Sequence, residues 1–225
     1  KDESESDDVK TILEKSYENV KTKKYYQVAS TLDSVSGKTI SSQISLTKVT
    51  LLSNGVDMDV LFSLNGGESK FFEFRLDGEE LKETSYSKDG QKESTYAVDK
   101  NFYYNVLGYN YNLLAVLDYN KLINGTKEFF ANEYSKTTGL SKYYKNYECK
   151  IEETNGNKGV EIAFMGPVDE GYEENHIYEC VLKLFIDKDG NLTKTVLDSK
   201  IYAIDEKTNS LTLNQSGRIT SNITY

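Results

Sequence analysis

The chain has no tryptophan, one histidine, one proline, two cysteines and two methionines in 225 residues. With His176 alone, a Ser-His-Asp triad, a histidine relay or a His-rich zinc site lacks its parts. There is no G-x-S-x-G elbow, no G-x-G-x-x-G ahead of a helix and no P-loop. Positive charge is in deficit, with a net charge of -9, which argues against sequence-independent nucleic-acid binding. Hydrophobic residues are 37% of the chain, too few for a multispan membrane protein.

What is abundant is tyrosine, 18 residues, together with Lys, Asn, Ser and Thr. Tyr and Thr suit a pleated, half-wet surface, so the composition points to a β-rich extracytoplasmic domain. The sequence starts at Lys1 rather than Met, which is the expectation for a mature chain that has lost an export signal. Residues 1–8 carry no apolar side chain and read as a flexible acidic tether. The sequons at Asn124, Asn191, Asn214 and Asn222 are no more than this composition gives by chance.

Val9, Ile12, Leu13, Ser16, Tyr17 and Val20 lie at helical spacing and predict a helix over 8–23, capped by Asp7 or Asp8. The period then drops to two. Tyr26-Val28-Ser30-Leu32 alternate, 40–52 is rich in Thr, Ser and Val, and Val56-Met58-Val60-Phe62-Leu64 form one face opposite Asp57 and Asp59. Phe72-Phe74-Leu76, 80–87 and 92–99 follow. Asn54-Gly55, Gly66-Gly67, Asp77-Gly78 and Asp89-Gly90 punctuate these runs as tight turns, so the strands pair sequentially as an antiparallel meander.

The alternation stops after Tyr104, and two helices are expected over 110–123 and 126–137. Strands resume over 145–153, 159–166, 177–187, 191–204 and 211–224. No linker divides the chain, so residues 9–225 form one α+β domain.

The apolar face Met58, Val60, Phe62, Phe72, Phe74, Tyr86 and Tyr96 must be covered. Three short helices offer less cover than a sheet of this length presents, and an uncovered remainder would be a greasy groove. Plain core is the competing reading of each residue. Asp187-Lys188-Asp189-Gly190-Asn191 has the start of a calcium loop but lacks the third acid and the closing Glu, so it reads as a hairpin turn. The acidic loop 166–175 and the Asp57/Asp59 pair read as solvated surface, and His176 beside that loop as a surface residue. No metal and no cofactor are expected.

Cys149 and Cys180 are the only thiols, and in an exported chain such a pair predicts a disulfide. A strict meander would put one strand between them, about 10 Å of separation, too far to bridge. Either the strand order departs from a meander there, or both are small buried hydrophobes. The disulfide is the favoured expectation.

The stripe Val9-Ile12-Leu13-Tyr17-Val20 leads directly into Tyr25-Tyr26-Gln27-Val28, and the meander of 40–99, the apolar stretch Leu113 to Phe130 and the final strands to Tyr225 follow. This order resembles the LolA-type family of bacterial lipoprotein carriers and related lipoproteins. It is a likeness of pattern over nearly the whole chain and carries no catalytic or binding motif across. It implies a curved antiparallel sheet of about 11 strands, a half-open barrel, with the N-terminal helix and two mid-chain helices on its concave side. It also implies a Gram-positive lipoprotein held at the outer face of the cytoplasmic membrane by an N-terminal lipid anchor. The acidic loop 166–175 departs from that pattern.

The leading expectation is a monomeric, non-catalytic domain that binds a lipid or another hydrophobic small molecule and no nucleic acid. Met58, Val60, Phe62, Phe72, Phe74, Leu114 and Leu117 are the expected lining. The rival is a cell-surface interaction module with a filled core and an outward face of Tyr103, Tyr104, Tyr109 and Tyr111. An enzyme is the third reading.

Overall fold

The structure is a computed structural model that describes residues 3–53, 55–77, 80–87, 89–97, 113–120, 122–123, 145–167, 176–205 and 207–225. A helix, α1 (Glu3–Lys21), precedes six strands: β1 (Tyr25–Ser36), β2 (Thr39–Leu51), β3 (Gly55–Leu64), β4 (Lys70–Asp77), β5 (Glu80–Ser87) and β6 (Gly90–Ala97). A short helix, α2 (Leu113–Leu117), comes next. Then follow β7 (Lys145–Thr154), β8 (Asn157–Pro167), β9 (His176–Ile186), β10 (Leu192–Ile204) and β11 (Leu211–Thr224).

All 11 strands lie in one antiparallel sheet, in the order β6-β5-β4-β3-β2-β1-β11-β10-β9-β8-β7. It is two meanders, joined where β1 pairs with β11 (Ser30 opposite Ser221). β6 and β7 are its two edges, so the sheet is not closed into a barrel. Turn chemistry sets the registers. Between β7 and β8, Asn155 (φ 52°) and Gly156 (φ 81°) both take the left-handed conformation, the requirement of a two-residue hairpin whose twist matches its strands.

α1 runs Glu3–Lys21 where the sequence predicts 8–23, so the helix takes up most of the stretch read as a tether. Acidic residues in a first turn suit the positive end of a helix dipole. Of the two mid-chain helices, α2 accounts for part of the first, with helical backbone again at 119–120 and 122–123. The second, over 126–137, lies outside the described residues, as do Tyr103, Tyr104, Tyr109 and Tyr111.

The core forms between the helices and one face of the sheet, here the inner face. Val9, Leu13 and Val20 of α1 and Leu113, Val116 and Leu117 of α2 join Tyr26, Val28, Val49, Met58, Val60, Val160, Ile162, Leu182, Leu184 and Leu197 in one buried cluster. α1 is held at its C-terminal end by two polar contacts to the β9–β10 turn. Ser16 Oγ donates to the Gly190 carbonyl (2.9 Å) and Asn19 Nδ2 to Asn191 Oδ1 (2.6 Å). That turn closes on itself. Asp187 Oδ1 accepts from the backbone N–H of Asp189 (3.0 Å) and of Asn191 (2.8 Å), and Oδ2 from the Asn191 amide (3.1 Å). The carboxylate is thus committed to the turn, in accord with the hairpin reading.

The disulfide expectation is corrected. Cys149 and Cys180 are both thiols, because the meander is strict: Cys149 on β7 faces Ile162 of β8, and Cys180 on β9 faces Phe164 of the same strand. One strand stands between them, about 10 Å of sheet. Cys180 is fully buried in the core cluster and Cys149 packs at its margin.

Candidate functional site

Strand register brings five of the expected lining residues together. Met58, Val60 and Phe62 alternate along β3, with Phe74 opposite Met58 and Phe72 opposite Val60 on β4. The Phe62 and Phe72 rings lie 5.2 Å apart at 18°, and Phe72 and Phe74 lie 6.2 Å apart at 20°, a stacked aromatic ladder on the inner face. Met58 and Val60 are sealed in the core, whereas all three phenylalanines are only partly buried. On α2, Leu117 is fully buried and Leu114 packs at the margin of the same cluster.

α2 is positioned by Tyr26. The Leu113 backbone N–H donates to Tyr26 Oη over 3.1 Å, at the end of β1. Burial raises the Tyr26 phenol far above its ordinary range, and the Leu113 N–H only partly offsets this. The Tyr225 ring stands 6.2 Å from Tyr26, and its Oη donates to the Leu192 carbonyl over 2.9 Å. Burial raises that phenol as well, aided by the nearby charge of Asp187.

Tyr86 is a correction. It pairs with Phe71, not Phe72, and so lies on the outer face, where its ring is 5.5 Å from Phe71 and its Oη donates to Glu73 Oε2 over 2.8 Å. Tyr96 pairs with Leu81.

Sequence reasoning missed a row of hydroxyls across the middle of the inner face. Ser45, Ser30, Ser221 and Thr195 are direct neighbours on β2, β1, β11 and β10, and all are buried. Ser30 Oγ and Ser221 Oγ share a hydrogen bond of 2.7 Å. Beside Ser45 on the same strand, Thr47 is fully buried between Val28 and Val60, and its Oγ1 has no hydrogen-bond partner among the described residues. The signal was present: Ser30, Ser45 and Thr47 occupy inner positions of the period-two pattern.

The outer face is chemically different. Leu46, Leu61, Phe71 and Tyr86 form a transverse row over β2 to β5, each at least partly exposed. Two concavities walled by described residues lie on this face. One, of about 540 Å³, has the Arg218–Asp198 fork (2.6 and 3.0 Å) in its wall. The other, of about 420 Å³, holds the Arg75–Asp57 fork (2.8 and 3.0 Å). Asp57 is therefore half of an exposed ion pair, not of a carboxylate dyad. Among the described residues no group of His, Cys, Asp and Glu could hold a metal ion, and no helix is long and apolar enough to cross a membrane.

No family model matches the chain, and no curated protein matches it. Among solved structures, LprF from Mycobacterium bovis is similar over 96% of this chain and 91% of its own, at 12% identity and a TM-score of 0.39. The lipoprotein LppX of Mycobacterium tuberculosis is similar over 96% and 93%, at 12% identity and a TM-score of 0.38. A domain described as an outer membrane lipoprotein-sorting protein, from Vibrio parahaemolyticus, is similar over 94% and 91%, at 13% identity and a TM-score of 0.36. Superposition this loose leaves function to be read from the chain's own residues.

Proposed function

We propose that this chain is an extracytoplasmic, membrane-anchored lipoprotein domain that binds a lipid or acyl chain on the inner face of its sheet, without catalysis. The observation that carries the reading is the Phe62–Phe72–Phe74 ladder, an apolar surface continuous with the core but only partly covered. Leu114 stands at the margin of the same cluster; Met58, Val60 and Leu117 form its floor. Such a surface needs no special polar groups. About ten buried methylenes supply roughly 8 kcal/mol, the scale of a micromolar Kd before ordering costs.

The test is native mass spectrometry of gently purified protein, together with titration by a fluorescent fatty-acid analogue. Copurified lipid and saturable binding are expected. Phe72→Glu should weaken that binding at least about tenfold, whereas Leu61→Glu on the outer face should leave it unchanged. Protein free of lipid that also ignores the probe would overturn the reading. A second reading, a protein-interaction module, is favoured by the exposed outer row Leu46-Leu61-Phe71-Tyr86, since aromatic and aliphatic residues so grouped are typical of contact surfaces. It is the reading left standing if no probe binds.

A further inference from the structure

The partly open surface on the inner face has a direction. Along β3 the inner side chains run from sealed to open: Val56, Met58 and Val60 are at most 5% exposed, Phe62 is half-buried and Leu64 is 53% exposed. β4 lies antiparallel beside it and repeats the trend, with Phe74 and Phe72 partly buried and Lys70 exposed at the start of the strand. An apolar chain laid along the ladder thus has one end over buried core and the other end at water.

Charge follows the same axis. Lys70 is directly opposite Phe62, so it holds an inner position one step beyond Phe72, about 7 Å along the strand. Lys92 of β6 shares that face, in the transverse row Phe72-Ser85-Lys92. Neither lysine forms an ion pair among the described residues. Glu83 stands toward the sealed end, opposite Phe74 on β5. A head group on the ladder therefore meets positive charge at the open end and negative charge at the other. The whole chain, at a net charge of -9, repels anions at long range, so these lysines run against the general field. What singles them out is position: the apolar ladder ends where they begin.

We propose that the ligand of this face is an anionic amphiphile, an acyl chain with a carboxylate or phosphate head, lying tail-inward along Phe62, Phe72 and Phe74 with its head at Lys70, on the side of Lys92. This rests on the reading that the inner face holds a hydrophobic ligand, and adds the ligand's charge and orientation. A neutral chain would bury the same methylenes and gain nothing from the lysines, and a cationic head would be repelled by them, so the anion is the preferred ligand.

The experiment uses one tail and four heads: dodecanoate, dodecyl phosphate, dodecanol and dodecylammonium, each titrated at low salt against the same fluorescent fatty-acid analogue. The wild type should bind the better of the two anions about fivefold more tightly than dodecanol, the scale of one solvent-exposed charge contact, and dodecylammonium more weakly than dodecanol. The tighter anion names the head. Lys70→Gln should remove most of that preference, Lys70→Arg should keep it, and added salt should shrink it in the wild type. Lys48→Gln, at an exposed position on the outer face, changes the net charge equally and should leave it intact. Wild-type protein that binds dodecanol as tightly as either anion would overturn the assignment and leave the hydrophobic reading standing. So would a preference that Lys70→Gln leaves unchanged, or that Lys48→Gln lowers equally. Failure of all four chains to displace the analogue would overturn the hydrophobic reading itself.

Discussion

The two meanders present inner faces of similar hydrophobicity and bury them to different degrees. On β8 to β10, Val160, Ile162, Leu182, Leu184 and Leu197 are each no more than 3% exposed. On β3 and β4 the equivalent surface ends in three phenylalanines that are only partly covered. Two features account for the contrast. α1 packs against β7 and is hydrogen-bonded to the β9–β10 turn, so its cover lies over the second meander. The register also shifts at three strand pairs of that half (β7–β8, β9–β10 and β10–β11), whereas the pairings from β1 through β6 run unbroken. A bulge adds local bend and twist, which lets a sheet wrap what lies on it. The lesson is that apolar content does not decide which part of a sheet becomes core; the cover laid over it and the local bend do.

The sharpest way to break this contrast is to truncate one apolar side chain on each side. Leu182→Ala should cost about 3 kcal/mol, from lost transfer energy and the cavity left in a fully buried site. Phe72→Ala removes a larger side chain but should cost only about 1–2 kcal/mol, because part of the ring is already wet. Urea unfolding of both variants measures this, and equal costs would erase the distinction between the halves.

A somewhat smaller effect is expected at the point where α2 meets the sheet. Tyr26→Phe strands the buried Leu113 N–H and should cost about 1–2 kcal/mol. The phenol's raised pKa gives a second readout. The native state holds its proton more tightly than the unfolded chain, so this contribution is complete below about pH 10 and fades as alkali is added. Melting temperature against pH should therefore fall less steeply above pH 10 in Tyr26→Phe than in the wild type.

The smallest effect belongs to the turn that anchors α1 over the sealed half. Burial acts to raise the Asp187 carboxyl, but the N–H and side-chain amide of Asn191, the N–H of Asp189 and the charge of Lys23 outweigh it and hold the group below its usual range. A depressed carboxyl stabilises the fold at neutral pH, and the contribution disappears as pH falls from about 4 through the native value. Thermal melts from pH 5 to 2 should show a shallower acid limb in Asp187→Asn. A limb as steep as the wild type's would detach the turn from the hold on α1.

Much of this was legible in the sequence. The alternation of Val56 to Leu64, the glycine-bearing turns and the Val9-to-Val20 stripe specify local geometry, and local geometry fixes a meander. Faces were harder. The register of β4 against β5 pairs even-numbered residues with odd ones, so Tyr86 falls opposite Phe71 on the outside. For the cysteine pair, strand order overrides the redox expectation, since β8 stands between Cys149 and Cys180. Of the site, the contiguity of Met58, Val60, Phe62, Phe72 and Phe74 could be read from spacing. Which of them stay partly open could not, since cover depends on α1 and α2, far away in sequence. The orphan hydroxyl of Thr47 was equally out of reach, because partners across strands appear only once register is known.

The junction of the two meanders joins the strands most distant along the chain: Ser30 meets Ser221 across 191 positions. Every other seam in the sheet is between strands adjacent in sequence. Each meander can assemble from nearby segments, but zipping them together must await the arrival of β11, the contact with the highest entropic cost of closure. A ribosome-bound chain would thus carry a finished first meander with both borders naked, β6 for good and β1 until β11 arrives, and the middle of the molecule would be the last part to form.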